Sequence, residues 1–147
     1  MCGLAGIIAP RDRQIEPSLL QAMADLQQHR GPDDAGFLRL HTDAGRWRTD
    51  LHENGEQHFN LGLAFRRLAV VDLSRLGSQP MANGDHSIWL VFNGEIYNDD
   101  ELRQQLRARG HRFRSKTDTE VILALYEEQG LEAISALNGM FALAIWD

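Results

Sequence analysis

Position 2 holds the one cysteine of this 147-residue chain, directly after the initiator methionine and before a glycine. Removal of Met1 is favoured when a small residue follows, and it would leave Cys2 as the N-terminus. Such a residue carries nucleophile and base together, because its own α-amine can take the thiol proton and return it to a leaving group. The position alone equally suits a small apolar side chain buried in a first strand.

Other residues add chemistry. Asn93-Gly94-Glu95 follows the apolar run 87–92 and offers a side-chain amide, an unhindered backbone N–H and a carboxylate within three positions. An acyl-transfer site needs such donors for its oxyanion, although an isolated Asn-Gly is more often a turn. Arg66 and Arg67 interrupt an apolar strand, and a buried guanidinium calls for a carboxylate, from the protein or from a substrate. Asp118 opens a helical pattern, where its carboxylate can cap the helix or hold a substrate ammonium. His29, His41, His52, His58, His86 and His111 show no metal-ligand spacing, and with one cysteine they predict no zinc site. No Gly-rich phosphate-binding loop occurs.

The elements that must position these residues are read from periodicity. The segment 2–9 (CGLAGIIA), closed by Pro10, suits a buried strand with Cys2 at its end. Leu19, Leu20, Met23 and Leu26 recur at helical spacing, and Pro17 fits a first turn, so a helix runs from Pro17 toward His29. The polar stretch from His41 to His58, with Gly45 and Asn54-Gly55, reads as a hairpin or long loop. Segments 61–72 (LGLAFRRLAVVD) and 87–92 (SIWLVF) read as central strands ending in functional loops. Helices follow over 100–109 and 118–129, closed by Gly110 and Gly130, the second burying Val121, Ile122, Leu125 and Tyr126. Segment 140–146 (MFALAIW) reads as another buried strand, after which the chain stops where a hairpin would turn.

Size and a hydrophobic content of 43% predict one globular α+β domain over residues 1–147. A net charge of −6 with interspersed signs offers no basic stripe for nucleic acid or an anionic membrane. The apolar N-terminal stretch is too short to span a bilayer and lacks a preceding basic segment, which predicts a cytoplasmic protein.

Six blocks coincide in order with one family: MCGLAGI at 1–7, RGPDDAG at 30–36, RRLAVVD at 66–72, NGEIYN at 93–98, TDTEVILALYEEQG at 117–130 and LNGMFALAIWD at 137–147. Together they resemble the class II glutamine amidotransferase domain of asparagine synthetases, an N-terminal-nucleophile hydrolase. The resemblance implies a four-layer αββα sandwich of two antiparallel sheets. It assigns Cys2 as nucleophile with its α-amine as base, and Asn93 and the Gly94 N–H as oxyanion donors. Arg67 matches the family's partner for the substrate α-carboxylate, Glu95 and Asp118 its partners for the α-ammonium, and the Val70 carbonyl helps to seat the amide. Phe65 stands where many members carry histidine.

The resemblance further implies hydrolysis of glutamine to glutamate and ammonia through a Cys2 thioester. No cofactor is expected in this domain, with ATP and magnesium belonging to a synthetase domain that receives the ammonia. Relative to the family the chain is expected to be incomplete at its C-terminus, with that synthetase domain absent, and a homodimer is compatible with it. Two other readings are a non-catalytic docking module for a synthetase partner, and an N-terminal-nucleophile acylase acting on another amide. Retention of all the site residues disfavours the first, and the pair Arg67 and Asp118 disfavours the second.

Overall fold

The computed structural model describes residues 2–51, 58–70 and 73–147, so Met1, His52, the Asn54-Gly55 pair, Val71 and Asp72 lie outside the described residues. The described chain forms two compact units, residues 1–68 and 69–147.

In the first unit, strands β1 (Gly3–Ile8), β2 (Asp34–His41), β3 (Arg46–Arg48) and β4 (Leu61–Arg67) form an antiparallel sheet in the order β1-β4-β2-β3. All seven residues of β4 are buried, which is why its apolar run shows no alternation, and it is central as expected. β1 pairs with it from Gly3 opposite Arg66 to Ile8 opposite Leu61. As an outer strand β1 is only partly buried, with Ile8 67% exposed, rather than the fully buried strand its composition suggests. β2 was not legible, because Asp34, Gly36 and Arg39 break its pattern. The structure buries Arg39 by satisfying it: its Nε donates to the Asp50 carbonyl at 2.9 Å, and its guanidinium lies 4.9 Å above the Phe59 ring. The expected hairpin exists, as the turn after His41 that leads into β3.

Helix α1 (Pro17–Asp25) lays Leu20 and Ala24 on Ala64 of β4, with Ala5, Ile7 and Phe37 around them. It is shorter than its periodicity predicts, and Leu19 and Leu26 are exposed. From Leu26 the chain continues in successive turns to Gly31, and the Gln27 side chain donates to the Leu4 carbonyl at 3.0 Å. Tying the segment to β1 displaces the last helical turn.

In the second unit, β6 (Trp89–Ile96) lies between β5 (Met81–Ala82) and β7 (Gly139–Trp146) in a second antiparallel sheet. Leu90, Phe92 and Ile96 alternate onto one face of β6, where they pack with Leu102 and Leu106 of α2 (Asp99–Ala108) and with Val121, Ile122 and Leu125 of α3 (Asp118–Gln129). α3 is buried nearly all round, so Leu123 and Ala124 join the face predicted for it. The two helices end at Gly110 and Gly130 in positive-φ conformations, as expected. β7 departs from expectation: it is an outer strand among the described residues, with Met140 73% exposed, while Phe141, Leu143 and Ile145 pack only partly buried against the core.

Leu90 is fully buried at the centre of this cluster. Leu90→Ala should therefore cost about 2–5 kcal/mol of stability, seen as a lower urea midpoint at unchanged m-value.

Candidate functional site

In the first unit the site residues gather where β1 starts and β4 ends. Gly3 faces Arg66, so Cys2 lies beside the C-terminal end of β4, and the Leu68 N–H donates to its Sγ at 3.3 Å. The Cys2 carbonyl accepts from Arg30 Nε at 3.1 Å. The nucleophile candidate is thus held through both its sulfur and its carbonyl, and it is partly accessible.

The two arginines part company as neighbours on a strand must. Arg66 Nε donates to the Gly31 carbonyl at 3.1 Å. The carboxylate expected for it is replaced there by a backbone oxygen, so Arg66 serves the fold. Arg67 lies opposite Asp34 across β4 and β2, its side chain is equally buried, and the Asp33 N–H donates to its carbonyl at 3.0 Å. Gly31 lets the 30–34 segment lie against this strand end, since a Cβ there would meet the Arg66 carbonyl at 2.3 Å. Val70 follows in the coil after Leu68 with 72% of its surface exposed.

In the second unit Asn93, Gly94 and Glu95 lie inside β6, opposite Ala142, Phe141 and Met140. Sequence reasoning placed them in a loop beyond the strand. The strand continues because β7 pairs with all three, and it can do so only with glycine at 94, where a Cβ would sit 2.3 Å from the Met140 carbonyl. Asn93 and Glu95 share one face of β6, opposite to the face that carries Phe92 and Ile96 into the core.

Asp118 is the first residue of α3 rather than its cap, which is Thr117. Its Oδ2 accepts from the Ile96 N–H at 3.2 Å and its Oδ1 from the Thr119 N–H at 2.9 Å. This brings Asp118 to the strand residue next to Glu95. Burial raises its pKa above the ordinary carboxylate value; the Ile96 and Thr119 N–H groups pull it back, and the negative charge of Asp99 adds to the rise.

Several positioning groups were not legible as such. Arg103 of α2 donates to the Ser115 and Thr117 carbonyls at 3.1 and 2.8 Å and stacks 4.7 Å over Phe113. Glu120 accepts from Arg114 N, Ser115 N and Ser115 Oγ. Together they fix the 114–117 segment that leads into Asp118. Arg30 fell within a quoted block, but nothing in its spacing pointed to the Cys2 carbonyl. Among the described residues no group of three or more His, Cys, Asp or Glu could hold a metal ion, and no helix is long and apolar enough to cross a membrane.

A family model described as the glutamine amidotransferase domain matches residues 1–147. The glutamine-hydrolysing asparagine synthetase 2 of Bacillus subtilis is 43% identical over 150 residues, covering all of this chain and 17% of its own length. A putative glutamine-hydrolysing asparagine synthetase 1 of Methanocaldococcus jannaschii is 44% identical over 151 residues, again over the whole chain and 26% of the relative. The chain spans roughly a fifth of the length of the curated relatives it matches. Among solved structures, the glutamine phosphoribosylpyrophosphate amidotransferase of B. subtilis aligns with a TM-score of 0.75 at 23% identity, over 97% of this chain and 34% of that one. That likeness shows the fold, of the α+β class with antiparallel sheets expected from the sequence; each unit here has its own antiparallel sheet with helical packing on it.

A raised carboxylate pKa has a sign. The folded state holds the Asp118 proton to higher pH than the unfolded chain does, so the stability it contributes is present below the unfolded pKa and is lost as pH rises through the folded value. A side-chain carboxyl NMR titration should give Asp118 a midpoint above that of an ordinary aspartate; a midpoint at or below it would contradict the burial of this group.

Proposed function

This chain belongs to the glutamine amidotransferase domain family, and from that premise we propose that it hydrolyses the side-chain amide of glutamine through a Cys2 thioester. The observation that carries the reading is the placement of the Cys2 sulfur, held by the Leu68 N–H at the strand end where Arg67 also sits.

With Met1 removed, the α-amine of Cys2 takes the thiol proton and the thiolate attacks the side-chain carbonyl carbon of glutamine. Negative charge passes to the carbonyl oxygen, which accepts hydrogen bonds from the Asn93 amide and the Gly94 N–H. Collapse of this intermediate breaks the C–N bond, and the protonated amine returns its proton to the departing ammonia. Water, deprotonated by the same amine, then attacks the thioester and releases glutamate with regeneration of the thiol.

Arg67 pairs with the substrate α-carboxylate, while Glu95 and Asp118 take the α-ammonium and the Val70 carbonyl accepts from the amide NH2. An ammonium beside Asp118 favours its ionised form and offsets the burial that raises its pKa. Both charged ends of a free amino acid are thereby matched, which distinguishes glutamine from a peptide or an acylated amine.

The ammonia is destined for an ATP-dependent asparagine-synthetase-type domain or subunit, where ATP and magnesium act; this domain itself needs no cofactor, and the setting is the cytoplasm. The names of the full-length relatives support asparagine as the product.

Purified protein should release glutamate from glutamine, and Asn93→Ala should lower kcat by about 10²–10³-fold with a smaller change in KM, because an oxyanion donor acts in the transition state. Arg67→Ala and Asp118→Ala should instead raise KM, each by the equivalent of about 2–5 kcal/mol for a charge left unpaired. Unchanged KM in both would remove the pocket assignment.

Intact mass of active material should correspond to a chain starting at Cys2. A free α-amine has a pKa of about 7.7–8.0 and is substantially deprotonated near neutral pH, whereas an amide nitrogen is not basic. Full activity in a preparation that retains Met1 would eliminate the N-terminal amine as base.

A further inference from the structure

Gln79 has no part in the chemistry above, yet it is a buried amide making three hydrogen bonds at the point where site and core meet. Its Oε1 accepts from the Phe92 N–H at 2.6 Å, and its Nε2 donates to the Phe92 carbonyl at 3.1 Å and to Thr119 Oγ1 at 3.2 Å. We propose that Gln79 is a positioning residue for the oxyanion donors, its side-chain amide standing in for a strand at Phe92 so that the edge of β6 is held straight while the Gly94 N–H is left outward.

Strand parity sets the direction of the Gly94 N–H. Successive N–H groups of a strand point to opposite edges, so residues two apart share an edge. Phe92 N–H goes to Gln79 and Ile96 N–H goes to Asp118, both away from β7, whereas the Tyr97 N–H goes to Asn138 on the β7 side. Gly94 lies between Phe92 and Ile96 and shares their edge, and the residue is exposed. On that edge β5 provides a backbone partner only as far as Leu90, opposite Met81. Were β5 to continue, Gln79 would fall opposite Phe92 and the next pair would take up the Gly94 N–H. Replacing strand by side chain satisfies Phe92 and stops there.

The third bond carries this further. Thr119 is the residue after Asp118, so one amide joins the strand position before Asn93 to the helix position after Asp118.

This proposal rests on the glutaminase reading for its kinetic consequence but not for its geometry, and the test separates them. In hydrogen exchange on the unmodified protein, the Phe92 and Ile96 amides should be protected while the Gly94 amide between them exchanges fast; a Gly94 amide as protected as its neighbours overturns the proposal. This arm holds even if the protein failed to hydrolyse glutamine, an outcome that would remove the functional reading instead. In the kinetic arm Gln79→Leu should lose Phe92 protection and lower kcat about 10–10²-fold, since small displacements of catalytic donors have effects of that order, with KM within about threefold. Gln79→Glu keeps an oxygen for the Phe92 N–H and places a second against its carbonyl, so its kcat should fall between the two, and it serves if the leucine variant does not fold. Thr119→Val, which removes only the third bond, should retain kcat. Wild-type kcat in Gln79→Leu, or an equal loss in Thr119→Val, would overturn the assignment.

Discussion

The hydrogen bond from the Ile96 N–H to the Asp118 carboxylate joins the last residue of a core strand to the first residue of a core helix. Much of the second unit depends on it. It ends β6 on the helix side without leaving a buried donor unsatisfied, and it fixes where α3 begins. It also accounts for the position of Asp118, next in space to the residue after Glu95, and for a carboxylate kept in an environment that resists its charge. A lysine in that place would have neutralised the carboxylate permanently; two backbone N–H groups hold it while leaving its charge available for a ligand.

A second constraint recurs in the buried arginines. Arg39, Arg66 and Arg103 are all buried, and each directs at least one guanidinium N–H to a backbone carbonyl: Asp50, Gly31, and Ser115 with Thr117. Carbonyl partners satisfy directional donors at segments that have no regular ladder of their own. Each such arginine therefore immobilises an irregular stretch beside a strand or helix, two of which lead into Asp118 and into the region of Arg67.

The extent to which this was legible follows from what each residue had to do locally. α3 could be bounded from sequence because its apolar pattern, acidic first turn and terminal glycine all act within the helix. β4 was legible from its unbroken apolar run. β2 was not, since the burial of Arg39 depends on Asp50 and Phe59, residues whose arrival no periodicity records. The strand through Asn93-Gly94-Glu95 was misread as a loop for a related reason: Asn-Gly favours a turn, and only pairing with β7, nearly fifty residues on in the chain, overrides that preference. Cys2, Arg67, Asn93 and Asp118 emerged as candidates from residue type and position, while Arg30, Arg103 and Gln79 act through partners distant in sequence.

Because Asn93 and Glu95 occupy one face of β6 and Phe92 and Ile96 the other, the proposed site and the hydrophobic core are written in a single alternating frame. A single substitution alters one letter of that frame and leaves the rest in register. A one-residue insertion or deletion between Trp89 and Ile96 would exchange the faces wholesale, turning amide and carboxylate into the packed interior and aromatic and aliphatic side chains into the site. A change of length is thus a change of face anywhere in the eight residues of β6, whereas a connection such as the turn after His41 has no frame to lose.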